Sequence, residues 1–192
     1  MRVLFVKQDH ASPSGLIGDA FASLGWDEFE LTVVPEARYQ TPDVPAFFPS
    51  ADLFDAIVLY GAPWSVYDTA TIGSWIGDEI AFARSAVSLG VPVLARTALA
   101  DQAFCAGRAL GLQFHPEVNE EVLDSWLRMG GYDQLSGLDI DVEPLLAQTR
   151  LLAGPAAART TELVRRFVTD VARRPVAPGP GTGDATVLTP AR

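Results

Sequence analysis

His115 and Glu117 are the residues whose types and spacing most directly suggest chemistry in this chain. They stand in the stretch Leu112-Gln113-Phe114-His115-Pro116-Glu117-Val118. An imidazole gains and loses a proton near neutral pH. A carboxylate two residues further on can fix its tautomer and orientation, which makes the pair two thirds of a nucleophilic triad. Read without the rest of the chain, the same residues also describe a strand end with a surface histidine and a helix-starting glutamate. The second histidine, His10, falls in a polar loop, where it reads as a ligand contact or a solvated side chain. Two histidines and one cysteine, Cys105, do not compose a zinc site. Asp139, Asp141 and Glu143 read as the acidic first turn of a helix rather than a metal cluster. No metal and no cofactor is expected.

The elements that must position these residues follow from patterning. Leu112 to His115 is a short strand-like run, stopped by Pro116, which has no N–H to continue a ladder. Val3 to Val6, Ala56 to Tyr60 and Val91 to Leu94 are continuous apolar runs, the mark of strands buried on both faces. Phe29 to Val34 adds another strand. Between them, Gly15 to Leu24 is a helix whose face is Leu16, Ala20, Phe21 and Leu24, with Gly25 as its stop. Ile72 to Leu89 is a helix with a stripe of Trp75, Ile76, Ile80, Ala83 and Val87, ended by Gly90. Strands alternating with helices predict an α/β domain with a parallel sheet, and chemistry in loops beyond the strand carboxyl ends. Loops 7–14 and 61–68 lie there. Loop 35–50 carries four prolines and the pair Phe47-Phe48, which reads as a lid, a partner contact or a clip onto the core.

Beyond Leu94 the pattern changes. Ala98 to Ala106 and Ala109 to His115 predict a hairpin turning at Gly107-Arg108, with Cys105 opposite Leu110. Val118 to Met129 is a helix broken by Gly130-Gly131, and Val142 to Leu152 and Ala156 to Arg173 are two more, interrupted by Gly154-Pro155. Residues 1–173 form one domain, and 174–192, rich in Pro, Gly and Thr, reads as a disordered tail.

Composition bounds the partners. The 192 residues are enough for one domain with a core, and 48% are hydrophobic. The net charge of −10 opposes binding to nucleic acid and to an anionic membrane surface. A single cysteine forbids a disulfide framework and suits a cytoplasmic location. The apolar N-terminal run is too short for a signal peptide, and no stretch reaches the length of a membrane span.

Three motifs together give a family resemblance. Gly90-Val91-Pro92-Val93-Leu94, the loop from Gly61 to Asp68, and Leu110-Gly111-Leu112-Gln113-Phe114-His115-Pro116-Glu117-Val118 resemble class I glutamine amidotransferases. They are most similar to free-standing proteins related to the glutaminase domain of GMP synthase, over residues 1 to about 170. The resemblance implies a flavodoxin-like α/β fold with flanking helices and a β-hairpin. It implies glutamine as substrate, hydrolysed at its side-chain amide through a cysteine thioester. The ammonia would pass to an acceptor, often on a synthetase or other acceptor-enzyme partner. His115 matches the family's histidine, which takes the thiol proton and returns it to ammonia. Glu117 matches the glutamate that orients it. Gly61-Ala62-Pro63 matches the oxyanion loop, usually Gly-Gly-Pro, and Ala62 narrows the backbone range there.

The family's nucleophile is missing. Its cysteine belongs in a Gly-x-Cys-x-Gly elbow directly after strand 91–94. Here the chain reads Leu94-Ala95-Arg96-Thr97-Ala98-Leu99, with Thr97 at the cysteine's position and no flanking glycine. Only 18 positions lead from Thr97 to His115, where the family has several dozen, so an internal segment with the elbow is absent and the sheet should be smaller. That loss should expose apolar faces of strand 91–94 and helix 72–89, lowering stability or calling for a partner. Cys105 is a poor substitute: along the hairpin it lies roughly 17 Å from His115, in an apolar strand where a thiol is inert. Three readings follow: an amidotransferase-like pseudoenzyme with lost or impaired glutaminase activity, a non-catalytic binding or subunit-interaction module, and a hydrolase using Cys105.

Overall fold

Val3, Leu4, Phe5 and Val6 are all at most 3% exposed, and the reason is their place at the centre of a sheet. Their strand, β1 (Arg2–Asp9), pairs in parallel with β2 (Asp27–Val34) on one side and β3 (Ala56–Leu59) on the other. A computed structural model describes residues 1–96, 102–174 and 186–187, and Thr97 lies outside the described residues. Among these the sheet continues through β4 (Val93–Arg96), β6 (Ala109–Leu112), β5 (Ala103–Ala106) and β7 (Thr186–Val187), in the order β2-β1-β3-β4-β6-β5-β7. β1 to β4 and β6 run parallel, and β5 is antiparallel to both its neighbours.

Helices cover both faces, as consecutive strands with parallel crossovers require. On one face Val3, Phe5, Val58, Leu94, Leu110 and Leu112 pack with Ile17 and Phe21 of α1 (Gly15–Ser23) and Val164 of α5 (Glu143–Arg166). On the other, Leu4, Val6, Ile57, Leu59 and Val93 pack with Trp75, Ile76, Phe82 and Ala86 of α2 (Thr69–Leu89). α3 (Glu120–Trp126) and α4 (Tyr132–Gly137) lie beyond the carboxyl edge of β6. This is the expected flavodoxin-like α/β fold with a hairpin. Gly25 and Gly90 take positive φ and end α1 and α2. The hairpin turns at Gly107-Arg108 with Cys105 opposite Leu110.

Several expectations are corrected. β1 extends to Asp9, so the loop before α1 is shorter than 7–14. The fourth strand spans Val93–Arg96 rather than 91–94, since Val91 is drawn back to bond the end of α2. The buried face of α2 is Ile72, Trp75, Ile76, Glu79, Phe82 and Ala86, while Ile80 and Val87 are exposed. Trp75 and Phe82, seven apart, fix the face, and Ile80 and Val87 fall about 120–160° round from them. Strand 93–96 is not uncovered: β6 takes its free edge directly, and Val93 and Leu94 are buried. Gly130 kinks the chain at φ 115°, but helical turns continue through Leu127–Gly131 into α4.

Gly154-Pro155 does not split the last helix, because α5 runs through it. Pro155 removes the N–H that would bond Leu151, and Leu151 is exposed, so water can take that carbonyl. Of the tail, Thr186–Val187 pairs with β5 at Phe104 and Cys105, and 175–185 and 188–192 lie outside the described residues.

Candidate active site

The stretch 113–119 is held in place by three helices. Leu16 N–H, in the first turn of α1, donates to the Glu117 carbonyl at 2.9 Å. The approach is close enough that a Cβ on Gly15, which has φ 53°, would lie 2.2 Å from that oxygen. Thr160 of α5 donates its hydroxyl to the Pro116 carbonyl at 2.8 Å in a buried contact. Asn119 accepts from Val122 N–H at 2.9 Å and caps α3. Trp126 of α3 meets the His115 ring edge-on at 4.7 Å. His115 therefore sits three residues past the end of β6, not on the strand as its apolar lead-in suggests.

Two sequence-identified residues come together as expected. His115 Nδ1 and Glu117 Oε1 are 2.7 Å apart, and the Glu117 side chain is 2% exposed. A carboxylate only accepts, so Nδ1 carries the proton and Nε2 presents its lone pair. That is the arrangement of a general base waiting for a proton donor.

The donor in place is not a thiol. Arg96, the last residue of β4, lays its Nη1 against both ring nitrogens of His115 and comes within 3.8 Å of Glu117 Oε1. With Nδ1 committed to Glu117, an Nη1 N–H donates into the Nε2 lone pair. On its other side, a Cβ on Gly61 would lie 3.5 Å from Cζ, Nε and Nη2 alike, which places Gly61 over the guanidinium face. Burial lowers the Arg96 pKa below the ordinary guanidinium value, and Glu117 opposes that shift. Arg96 is thus wedged between the Gly61 loop and the His115–Glu117 pair.

These groups line a cleft of about 390 Å³ at the carboxyl edge of the sheet, walled by the Gly61-Ala62-Pro63 loop, Arg96, His115, Tyr60, Trp126 and Asp9. Asp9 accepts from Ala11 N–H and the Ser12 hydroxyl, both at 2.9 Å. Tyr60 donates to the Ser14 carbonyl at 3.0 Å. Its phenol is pushed well above the ordinary value, first by burial and then by Glu117, so it stays a neutral donor.

The remaining candidates lie elsewhere. Cys105 is buried in the core between sheet and α5, and it does not line the cleft. His10 is half-buried and packs edge-on against Tyr39 at 5.3 Å, rather than standing free in solvent. Phe48 stacks on Phe82 while Phe47 is exposed, so only the second member of that pair clips the loop to the core. Asp141 accepts from Glu143 N–H at 3.0 Å, as a helix-start carboxylate does, and among the described residues no acidic group forms a metal cluster. Arg96 is the residue that sequence reasoning passed over. Its signal was present as a lone charge directly after a buried strand, at the edge where parallel sheets hold their chemistry.

No protein-family model and no curated protein matches the sequence. Solved structures do match. A glutamine amidotransferase from Thermotoga maritima superposes with a TM-score of 0.72 at 16% identity, covering 88% of this chain and 98% of that one. A glutamine amidotransferase from Methylobacillus flagellatus gives 0.66 at 13% identity, covering 91% and 96%. The chain therefore has the glutamine amidotransferase fold. Among the described residues no helix is long and apolar enough to cross a membrane.

Proposed function

We propose that this protein is a class I glutamine amidotransferase-like pseudoenzyme. It keeps the cleft and the acid–base pair of a glutaminase and does not turn glutamine over. One observation carries the reading: Arg96 Nη1 occupies the Nε2 side of His115, where a nucleophile's proton must be delivered. A guanidinium is protonated at every physiological pH and its N–H groups are not given up. It can neither attack a carbonyl nor leave the imidazole free to activate water. The one cysteine, buried in the core, offers no replacement. The Arg96 contact equally supports the reading as a small-molecule binding module, because it leaves a cleft of ligand size with its chemistry blocked. Docking to a synthetase or other acceptor enzyme would be retained from the family as a regulatory rather than an ammonia-supplying role.

The test is ammonia release from glutamine by the purified chain. The expected result is a rate indistinguishable from that of His115→Ala. Turnover that His115→Ala abolishes would overturn the proposal.

A further inference from the structure

We infer that the cleft is a receptor for a small molecule bearing a carboxylate, which Arg96 recognises, and that it discriminates against the corresponding carboxamide. The inference rests on the non-hydrolytic reading above and assigns that site a ligand class. Among the described residues, Arg96 spends only Nη1 on a partner, the His115 ring. Its Nε is buried with no acceptor. The contact with Glu117, at 3.8 Å, is an ion pair without a hydrogen bond. The Nε–Nη2 edge of the guanidinium is the fork that takes a carboxylate through two parallel hydrogen bonds. Gly61 stacks over the face of this group, and both residues line the cleft.

The neighbouring loop adds donors of the same sign. Neither Gly61 nor Ala62 N–H has an acceptor among the described residues. The two carboxylates near the cleft are each engaged by partners of their own. Asp9 is already met by two donors. Glu117 is 2% exposed and directs Oε1 at His115. A carboxamide offers one acceptor and two N–H groups, and its N–H groups would face a guanidinium that only donates. With Arg96 beside His115, the cleft prefers an acid to an amide.

The experiment is calorimetric titration of the purified full chain with glutarate and with glutaramide, matched in length and differing only in their end groups. Glutarate is expected to bind at least about tenfold more tightly. Arg96→Gln should remove that preference, and Arg96→Lys should keep part of it, with circular dichroism confirming that both variants fold. In wild type, glutarate should also shift the ring nitrogen resonances of His115, because the guanidinium is re-engaged beside it. Equal affinity for the two probes, absence of glutarate binding at about 10 mM, or an unchanged preference in folded Arg96→Gln would each overturn the inference. Ammonia release from glutamine would instead sink the non-hydrolytic reading, and is scored separately.

Discussion

At the scale of single residues, the site is defined by what each side chain is already doing. His115 donates from Nδ1 to Glu117, and its other nitrogen receives Arg96. In a working cysteine site that second position is the route by which the thiol loses its proton. Cys105 shows the opposite condition: a thiol with no base beside it, 8% exposed, packed among Leu110 and its core neighbours. Packed in this way, the thiol is closed to reagents and to substrate alike. A thiol-labelling reagent at neutral pH should accordingly modify Cys105 only as fast as the protein opens, and denaturant should release the full signal. Rapid labelling of the folded protein would revive the hydrolase reading.

At the scale of elements, the His115–Asn119 loop depends on contacts that lie far away in sequence. Thr160 sits 44 residues from Pro116 and supplies its carbonyl with a buried donor. Thr160→Val keeps the shape and removes the donor, leaving the Pro116 carbonyl unsatisfied at a cost of about 1–3 kcal/mol. Denaturant unfolding should report that loss, and the His115 resonances should broaden as the loop loosens. An unchanged midpoint would mean that water replaces the hydroxyl. α5 can supply this contact only because Pro155 does not break it. The helix continues past the missing hydrogen bond because Val164 and Phe167 anchor its later turns in the core.

At the scale of the whole molecule, stability is tied to pH through one buried pair on the opposite face of the sheet. Glu79 of α2 accepts from Gln8 of β1 at 2.5 Å, and burial pushes its pKa up to about 7, with the Gln8 bond opposing the shift. The folded pKa lies above the unfolded one, so the folded state holds the proton more tightly. Stability from this group is complete below about pH 4.5 and is lost as pH rises through about 7. The full difference amounts to about 3 kcal/mol. Glu79→Gln keeps a partner for Gln8 without the charge. It should flatten this part of the thermal-stability profile between pH 5 and 8 and raise Tm at pH 8 by several degrees. A pH profile identical to wild type would show that Glu79 ionises without cost.

The sequence by itself determined the buried parallel strands, the helix stops at Gly25 and Gly90, the hairpin register at Cys105 and the pairing of His115 with Glu117. Each is a local matter: an apolar run, a positive φ, a tight turn, or two residues on one short loop. It also carried the family likeness in Phe114-His115-Pro116-Glu117. What it did not determine were the relations between distant segments. The face of α2 turned with the packing of Trp75 and Phe82, and the edge of β4 beyond β3 was taken by β6. Above all, the side chain that meets His115 was decided by tertiary structure, because β4 and β6 pair in parallel with Arg96 opposite Leu112. That register carries a guanidinium to the His115 ring. The His115–Glu117 pair is legible in sequence because its members are neighbours in the chain, and the Arg96 contact is not, because Arg96 becomes a neighbour only in the sheet.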